Sequence, residues 1–199
     1  MFVDIKKILL VGSISFMLSS CVEAVVTGVS GVSYAVVQER SVGDAIDDTT
    51  ISAKIKKLYF EKDINKLLSK VDINIVEGRV LLTGKVESPD TRVDAVRLAW
   101  QPNGVREVIN EITIDESKLD AQKLARDIII TSKIKGKFLL NKIIKSINYS
   151  VETVEGNVYL MGIGQDKNEV DEAIYVASKV SGVKNVINHT ILKNSPDRL

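Results

Sequence analysis

Apolar and polar residues alternate with a period of two at Val71, Ile73 and Ile75, the signature of a half-buried strand. Glu77-Gly78 follows as a tight turn, where glycine supplies a positive φ, and Val80-Leu81-Leu82-Thr83-Gly84 returns as the hairpin partner. Upstream, Ile51, Ile55 and Tyr59 recur at helical spacing, with Asp47 or Asp48 placed to cap that helix. Downstream, Pro89 suits the first turn of a second helix whose apolar stripe is Val93, Val96 and Trp100. Asn103-Gly104 stops it, and Val105, Val108, Ile112 and Ile114 mark a last strand. The predicted order is α-β-β-α-β.

The same order then recurs. Val76-Glu77-Gly78 reappears as Val154-Glu155-Gly156, Gly84 as Gly162, and Gly104-Val105 as Gly182-Val183, always 78 residues on. Val105-Arg106-Glu107-Val108-Ile109-Asn110 reappears as Val183-Lys184-Asn185-Val186-Ile187-Asn188 at that offset. Lys54-Ile55-Lys56 matches Lys133-Ile134-Lys135 with one residue more. A common offset at so many places identifies a duplicated unit. The second copy predicts a helix from about 120 to 138, a hairpin of 149–154 with 158–162, a helix over 166–179 and a strand over 183–192. The fold class is therefore α+β: two tandem αββαβ domains, each a three-stranded mixed sheet covered by helices on one face.

The first 43 residues lie outside this pattern. Lys6 and Lys7 precede the apolar stretch Ile8–Leu18, and Leu18-Ser19-Ser20-Cys21 follows. A basic end, about 7–15 apolar residues and small residues before a cut describe an export signal. Spanning a bilayer takes about 20 apolar residues, more than are present. Leu18-Ser19-Ser20-Cys21 resembles the bacterial lipobox, which implies cleavage before Cys21 and acylation of its thiol. Val22, in place of the aspartate that retains such proteins in the inner membrane, implies outer-membrane sorting. The expected organisation is a signal peptide over 1–20, a lipidated tether over 21–43, domains over 44–115 and 120–193, and a frayed tail over 194–199.

Composition narrows the chemistry. The 199-residue chain is 45% hydrophobic and 27% charged, a globular composition. One cysteine and one histidine exclude a disulfide framework and any multi-histidine or multi-cysteine metal site. No cofactor is expected. Without residues 1–20 the basic and acidic side chains balance, so no global charge attracts nucleic acid. No nucleophile, base and orienting group stand together, so neither an enzyme nor a small-molecule substrate is expected. His189 reads as structural and without a partner, Trp100 as core, Asp47 and Asp48 as helix caps, and Glu77 and Glu155 as exposed turn residues.

Charge is asymmetric between the copies. Residues 121–145 hold seven basic side chains against Asp127, a net +6, whereas residues 44–70 sum to +1. Matching Ile51, Ile55 and Tyr59 to the second copy assigns Ile130, Ile134 and Phe138 to the core. At about 100° per residue, Ile129, Lys133 and Leu140 then share a neighbouring face, with Arg126 and Lys137 between it and the core stripe. Apolar side chains ringed by cations suit a membrane surface rich in anionic lipid. The competing reading is a solvated basic face, with Ile129 and Leu140 packed on the other copy.

The element order, the glycine-centred hairpins and the Gly-Val opening of each last strand resemble the BON domain of bacterial envelope proteins. The likeness extends to Arg40-Ser41-Val42-Gly43, Asp47-Asp48, Val158-Tyr159-Leu160-Met161-Gly162 and Ala177–Lys184. The resemblance implies a non-enzymatic protein that supports outer-membrane integrity, binds anionic phospholipid and collects at the division site. The resemblance implies phosphatidylglycerol-like lipid as the partner. It places the contact on the first helix of the second domain, at Arg126, Ile129, Lys133, Lys137 and Leu140. Family members can carry an aromatic where this chain has Ile129, which implies shallower insertion here. The alternative is an envelope protein-interaction or chaperone-like adaptor using the same basic helix, and a third is a spacer between membrane and wall.

Overall fold

A computed structural model describes residues 42–115, 120–196 and 198; the signal segment, Cys21 and the expected tether up to residue 41 lie outside them. Helix α1 runs Val42–Asp63, and Ile51, Ile55 and Tyr59 form its buried stripe. Asp63 turns to an extended conformation and its carboxylate accepts from the amides of Asn65 and Lys66, both at 3.0 Å. That cap starts a single π-helical turn, Ile64–Leu68, which delivers the chain to β1 (Val71–Val76). Strand β2 (Arg79–Val86) pairs antiparallel with β1, and β3 (Glu107–Ile114) pairs parallel with β2. Helix α2 (Pro89–Ala99) makes the crossover that a parallel pair requires, with Ser88 as its N-cap and Pro89 in its first turn.

The second repeat reproduces this plan as α3 (Ala121–Leu140), β4 (Tyr149–Val154), β5 (Asn157–Gly164), α4 (Lys167–Ser178) and β6 (Asn185–Leu192). Every strand pair carries the 78-residue offset: Val71 opposite Gly84 becomes Tyr149 opposite Gly162, and Arg79 beside Glu107 becomes Asn157 beside Asn185. The glycine common to both copies is required by close approach. A Cβ at Gly84 would lie 2.2 Å from the carbonyl oxygen of Lys70, and one at Gly162 would lie 2.1 Å from that of Asn148.

Both hairpin turns place two successive residues at positive φ: Glu77 (52°) with Gly78 (74°), and Glu155 (51°) with Gly156 (82°). A glutamate is strained there. Each turn is clasped by a buried aspartate from the preceding helix. Asp48 accepts from the amides of Glu77 and Gly78, both at 2.8 Å, and Asp127 from those of Glu155 and Gly156 at 2.7 and 2.9 Å. This corrects the helix-cap assignment for Asp47 and Asp48, because α1 begins at Val42, ahead of both.

Helices cover one face of each sheet. Ile51, Ile55, Tyr59, Val80, Leu82, Ala95 and Ala99 form the first core. Ile130, Ile134, Phe138, Val151, Val158, Leu160 and Ala173 form the second. Tyr59 also donates to the carbonyl of Ala95 at 2.9 Å, tying α1 to α2, and burial pushes its hydroxyl pKa up. The opposite faces of the two sheets meet, giving four layers in the order helix, sheet, sheet, helix. Val76 and Leu81 pack there on Tyr159, Met161 and Ile163. The contacts across this seam are reciprocal under the repeat offset. Ser150 bonds Asn74 at 2.8 Å, and their counterparts Asp72 and Glu152 interact with each other. Glu111 and His189, equivalent positions of the two copies, meet at 2.9 Å. Reciprocity of this kind marks a two-fold relation between the repeats.

Several expectations are corrected by packing. Val93 and Trp100 stand seven residues apart, so they share one side of α2, and that side faces solvent; Ala95, Leu98 and Ala99 face the sheet instead. His189 has Glu111 as a partner, and Arg79 also donates to its carbonyl at 3.0 Å. Glu77 is buried and receives a forked contact from Arg198 (2.9–3.1 Å), so the tail reaches back onto the first hairpin.

Candidate functional site: the cationic flank of helix α3

Asp120 caps α3, accepting from the amides of Gln122 and Lys123. Ile130, Ile134 and Phe138 bury one stripe, where the Phe138 ring meets Tyr149 edge-on with centroids 5.7 Å apart. The core stripe and the Asp127 clasp together fix the rotation of α3 about its axis. Arg126, Ile129, Lys133, Lys137 and Leu140 are all exposed. Ile129 is 51% exposed and Leu140 84%, so neither packs on the other repeat.

The structure divides these five residues. Arg126, Ile129 and Lys133 line a groove of about 480 Å³ that runs between α3 and the loop preceding β6. Lys137 and Leu140 lie further along the same flank, beyond the groove. Near the C-terminal end of α3 two more apolar side chains reach solvent, Leu139 (74% exposed) and Ile143 (45%). Sequence reasoning missed both. The signal was Phe138, whose core position turns its neighbour Leu139 outward.

At the N-terminal end of α3, Glu155 accepts from Lys123 at 3.1 Å and from Lys85 of the first repeat at 2.9 Å, and Lys85 also pairs with Asp115. The hydrogen bond from Lys85, then that from Lys123, holds the Glu155 carboxyl below the usual carboxylate range. This network ties the hairpin under α3 to the first repeat. Across the sheet seam, removal from water raises the Asp72 and Glu152 carboxyls, although Lys56 draws the first down and Lys135 the second. Among the described residues no group of three or more histidine, cysteine, aspartate or glutamate side chains could hold a metal ion, and no helix is long and apolar enough to cross a membrane.

Comparison with known proteins fits the duplicated fold. The chain is 45% identical over 150 residues to an Anaplasma centrale protein described as an uncharacterized protein in the gshII 5' region, covering 75% of this chain and 97% of that one. It is 32% identical over 184 residues to the outer membrane lipoprotein DolP of Haemophilus influenzae, covering 92% and 94%. It is 34% identical over 148 residues to osmotically-inducible protein Y of Escherichia coli, covering 74% and 73%. The BON domain model matches residues 47–116 and again 126–194, so the chain belongs to the BON-domain family, with two domains in tandem and a likeness to DolP along nearly its whole length.

Proposed function

We propose that this protein is a non-enzymatic outer-membrane lipoprotein, anchored through Cys21, whose second BON domain binds anionic phospholipid. The observation that carries the reading is the flank of α3: Arg126, Lys133 and Lys137 interleave with Ile129 and Leu140, all in solvent, on a helix whose orientation is fixed. Each cation near an anionic surface contributes roughly 1 kcal/mol, and exposed leucines add apolar insertion. The likeness to a Haemophilus influenzae protein named as an outer membrane lipoprotein supports the location, as does the Leu18–Val22 sequence. Support of envelope integrity, and gathering at the division site, follow from the family resemblance.

The test is vesicle flotation of residues 21–199 carrying Cys21→Ser, which removes acylation and the apolar signal stretch as sources of binding. Phosphatidylglycerol-containing vesicles are expected to carry the protein and phosphatidylcholine vesicles are not, with binding falling as salt screens the contact. Reversing Lys133 and Lys137 to Glu should lower partitioning by about tenfold or more. Equal flotation with both vesicle types, or an unaffected double variant, refutes the reading and favours docking of the same helix on an envelope protein.

A further inference from the structure

The groove beside α3 has a second wall that no helical pattern predicts. Ser181, Gly182 and Lys184 form it, and Gly156 of the hairpin lies between the walls. Lys184 is held in two ways. Its amide donates to the carbonyl of Gly156 at 2.8 Å, and its stem passes so close over Gly156 that a Cβ there would lie 3.2 Å from Lys184 Cγ. Gly182 rests on the core residue Ile130, where a Cβ would lie 2.9 Å from Cδ1. The loop is thus fixed against the same core stripe that orients α3.

The acids bordering this groove are already engaged. Asp127 accepts the two hairpin amides, and Glu155 accepts from Lys85 and Lys123. Arg126 donates Nε to the carbonyl of Gln122, which leaves its terminal nitrogens directed elsewhere. Among the described residues Lys133 and Lys184 make no ion pair. Besides the paired Lys123, three cations from two walls therefore border one open groove, with Ile129 at its edge.

The first repeat provides an internal comparison. Its helix matches α3 with an offset of 79 and its loop with one of 78. Arg106 takes the place of Lys184, with the same amide bond to Gly78 at 2.8 Å. Asp44 and Asp47, however, replace Lys123 and Arg126, and Thr50 replaces Ile129. Lys54 stands where α3 has Lys133. The same backbone thus carries a helical wall of mixed charge in one copy and a basic, partly apolar wall in the other.

We propose that the α3 groove holds the phosphodiester of a single anionic phospholipid headgroup, gripped by Arg126 and Lys133 from the helix and by Lys184 from the loop. This rests on the reading that α3 meets an anionic membrane, and adds a site of one-to-one stoichiometry to it. The lipid source is favoured over free phosphate because the groove opens on the flank that carries Ile129 and, further along, Leu140. A choline headgroup brings its own cation against three others and is disfavoured.

The experiment is amide NMR of residues 21–199 carrying Cys21→Ser, titrated with dihexanoyl phosphatidylglycerol below its micellar concentration, with dihexanoyl phosphatidylcholine and inorganic phosphate as comparisons. Saturable shifts at Gly156, Gly182 and Lys184 are expected for phosphatidylglycerol, with affinity weaker by about fivefold or more for the other two. Lys184→Glu and Lys184→Gln should each weaken saturation, the reversal by about tenfold or more, whereas Arg106→Glu in the first repeat should leave it unchanged. The Gln variant keeps the stem over Gly156, so a loss there is one of charge and not of folding. Equal saturation by inorganic phosphate, or equal effects of Lys184→Glu and Arg106→Glu, overturns the proposal. Flotation separates the two levels: a wild type that floats with phosphatidylglycerol vesicles but shows no saturable headgroup shift sinks the groove alone. One that does neither sinks the membrane reading as well.

Discussion

Removing the carboxylate of Asp127 tests whether the buried clasp holds hairpin and helix together. Asp127 is 8% exposed and its carboxylate accepts from two backbone amides, at 2.7 and 2.9 Å. Hydrogen bonds to a charged group contribute about 1.5–3 kcal/mol each, and a buried amide left without an acceptor costs about 1–3 kcal/mol. Water can reach the half-buried Glu155 amide more readily than the buried Gly156 amide, so these costs do not simply double. Asp127→Ala should destabilise the protein by about 3–4 kcal/mol. With a denaturation slope of about 2 kcal/mol per molar urea, the midpoint should fall by about 1.5–2 M at unchanged slope. The assay is urea unfolding followed by circular dichroism. Asp48→Ala removes the equivalent clasp, with both bonds at 2.8 Å, and should cost the same within about 1 kcal/mol. The neighbouring exposed Asp47→Ala should change stability by about 0.5 kcal/mol or less. A loss below about 1 kcal/mol for Asp127→Ala, or equal losses for Asp47 and Asp48, would refute the clasp as the source of the stability.

Two further predictions concern the seam between the sheets. Thr83 is fully buried and its hydroxyl has no hydrogen-bond partner among the described residues, while its counterpart in the second repeat is Met161. Thr83→Val keeps the shape and should stabilise by about 1 kcal/mol, raising Tm by about 2–4 °C; a fall in Tm would show that the hydroxyl is satisfied in solution. Glu152 faces Asp72 and Asn74 across the seam and Lys135 from α3; burial and then Asp72 raise its carboxyl, against the pull of Lys135 and Asn74. Because the folded pKa lies above the unfolded one, this group's stabilisation is complete below the ordinary carboxylate range and is lost as pH rises through the raised folded value. Glu152→Gln should therefore gain on the wild type in thermal melts as pH climbs from about 4 toward neutrality, and a difference in Tm that stays constant across that range would count against it.

What could be read from the sequence was whatever depends on spacing along the chain. Alternation gave the strands, and the 78-residue offset carried through to every strand pair. The helical period placed Arg126, Ile129, Lys133, Lys137 and Leu140 on one flank, and the folded chain leaves them exposed there. Contacts between distant segments were not legible. Asp48 looked like a cap because its acceptors' donors lie 29 and 30 residues away in a turn that only the fold brings near. His189 looked solitary because Glu111 lies 78 residues away. Val93 and Trp100 looked like core because apolar character was read without knowing which side of α2 the sheet would cover. Lys184 escaped notice because a loop residue has no periodicity to assign its direction.

The contact between Glu111 and His189 has a consequence for how such a protein could arise. In a dimer of identical subunits, a residue on the rotation axis meets only its own copy. Glutamate would face glutamate there, and like charges would oppose assembly. Joining both copies in one polypeptide removes that restriction: acid can face imidazole at the centre, and the helical layers on opposite outer sides are free to diverge. One exterior carries Lys123, Arg126 and exposed apolar side chains where the other carries Asp44 and Asp47. Covalent fusion thus converts a symmetric body into one with a front and a back.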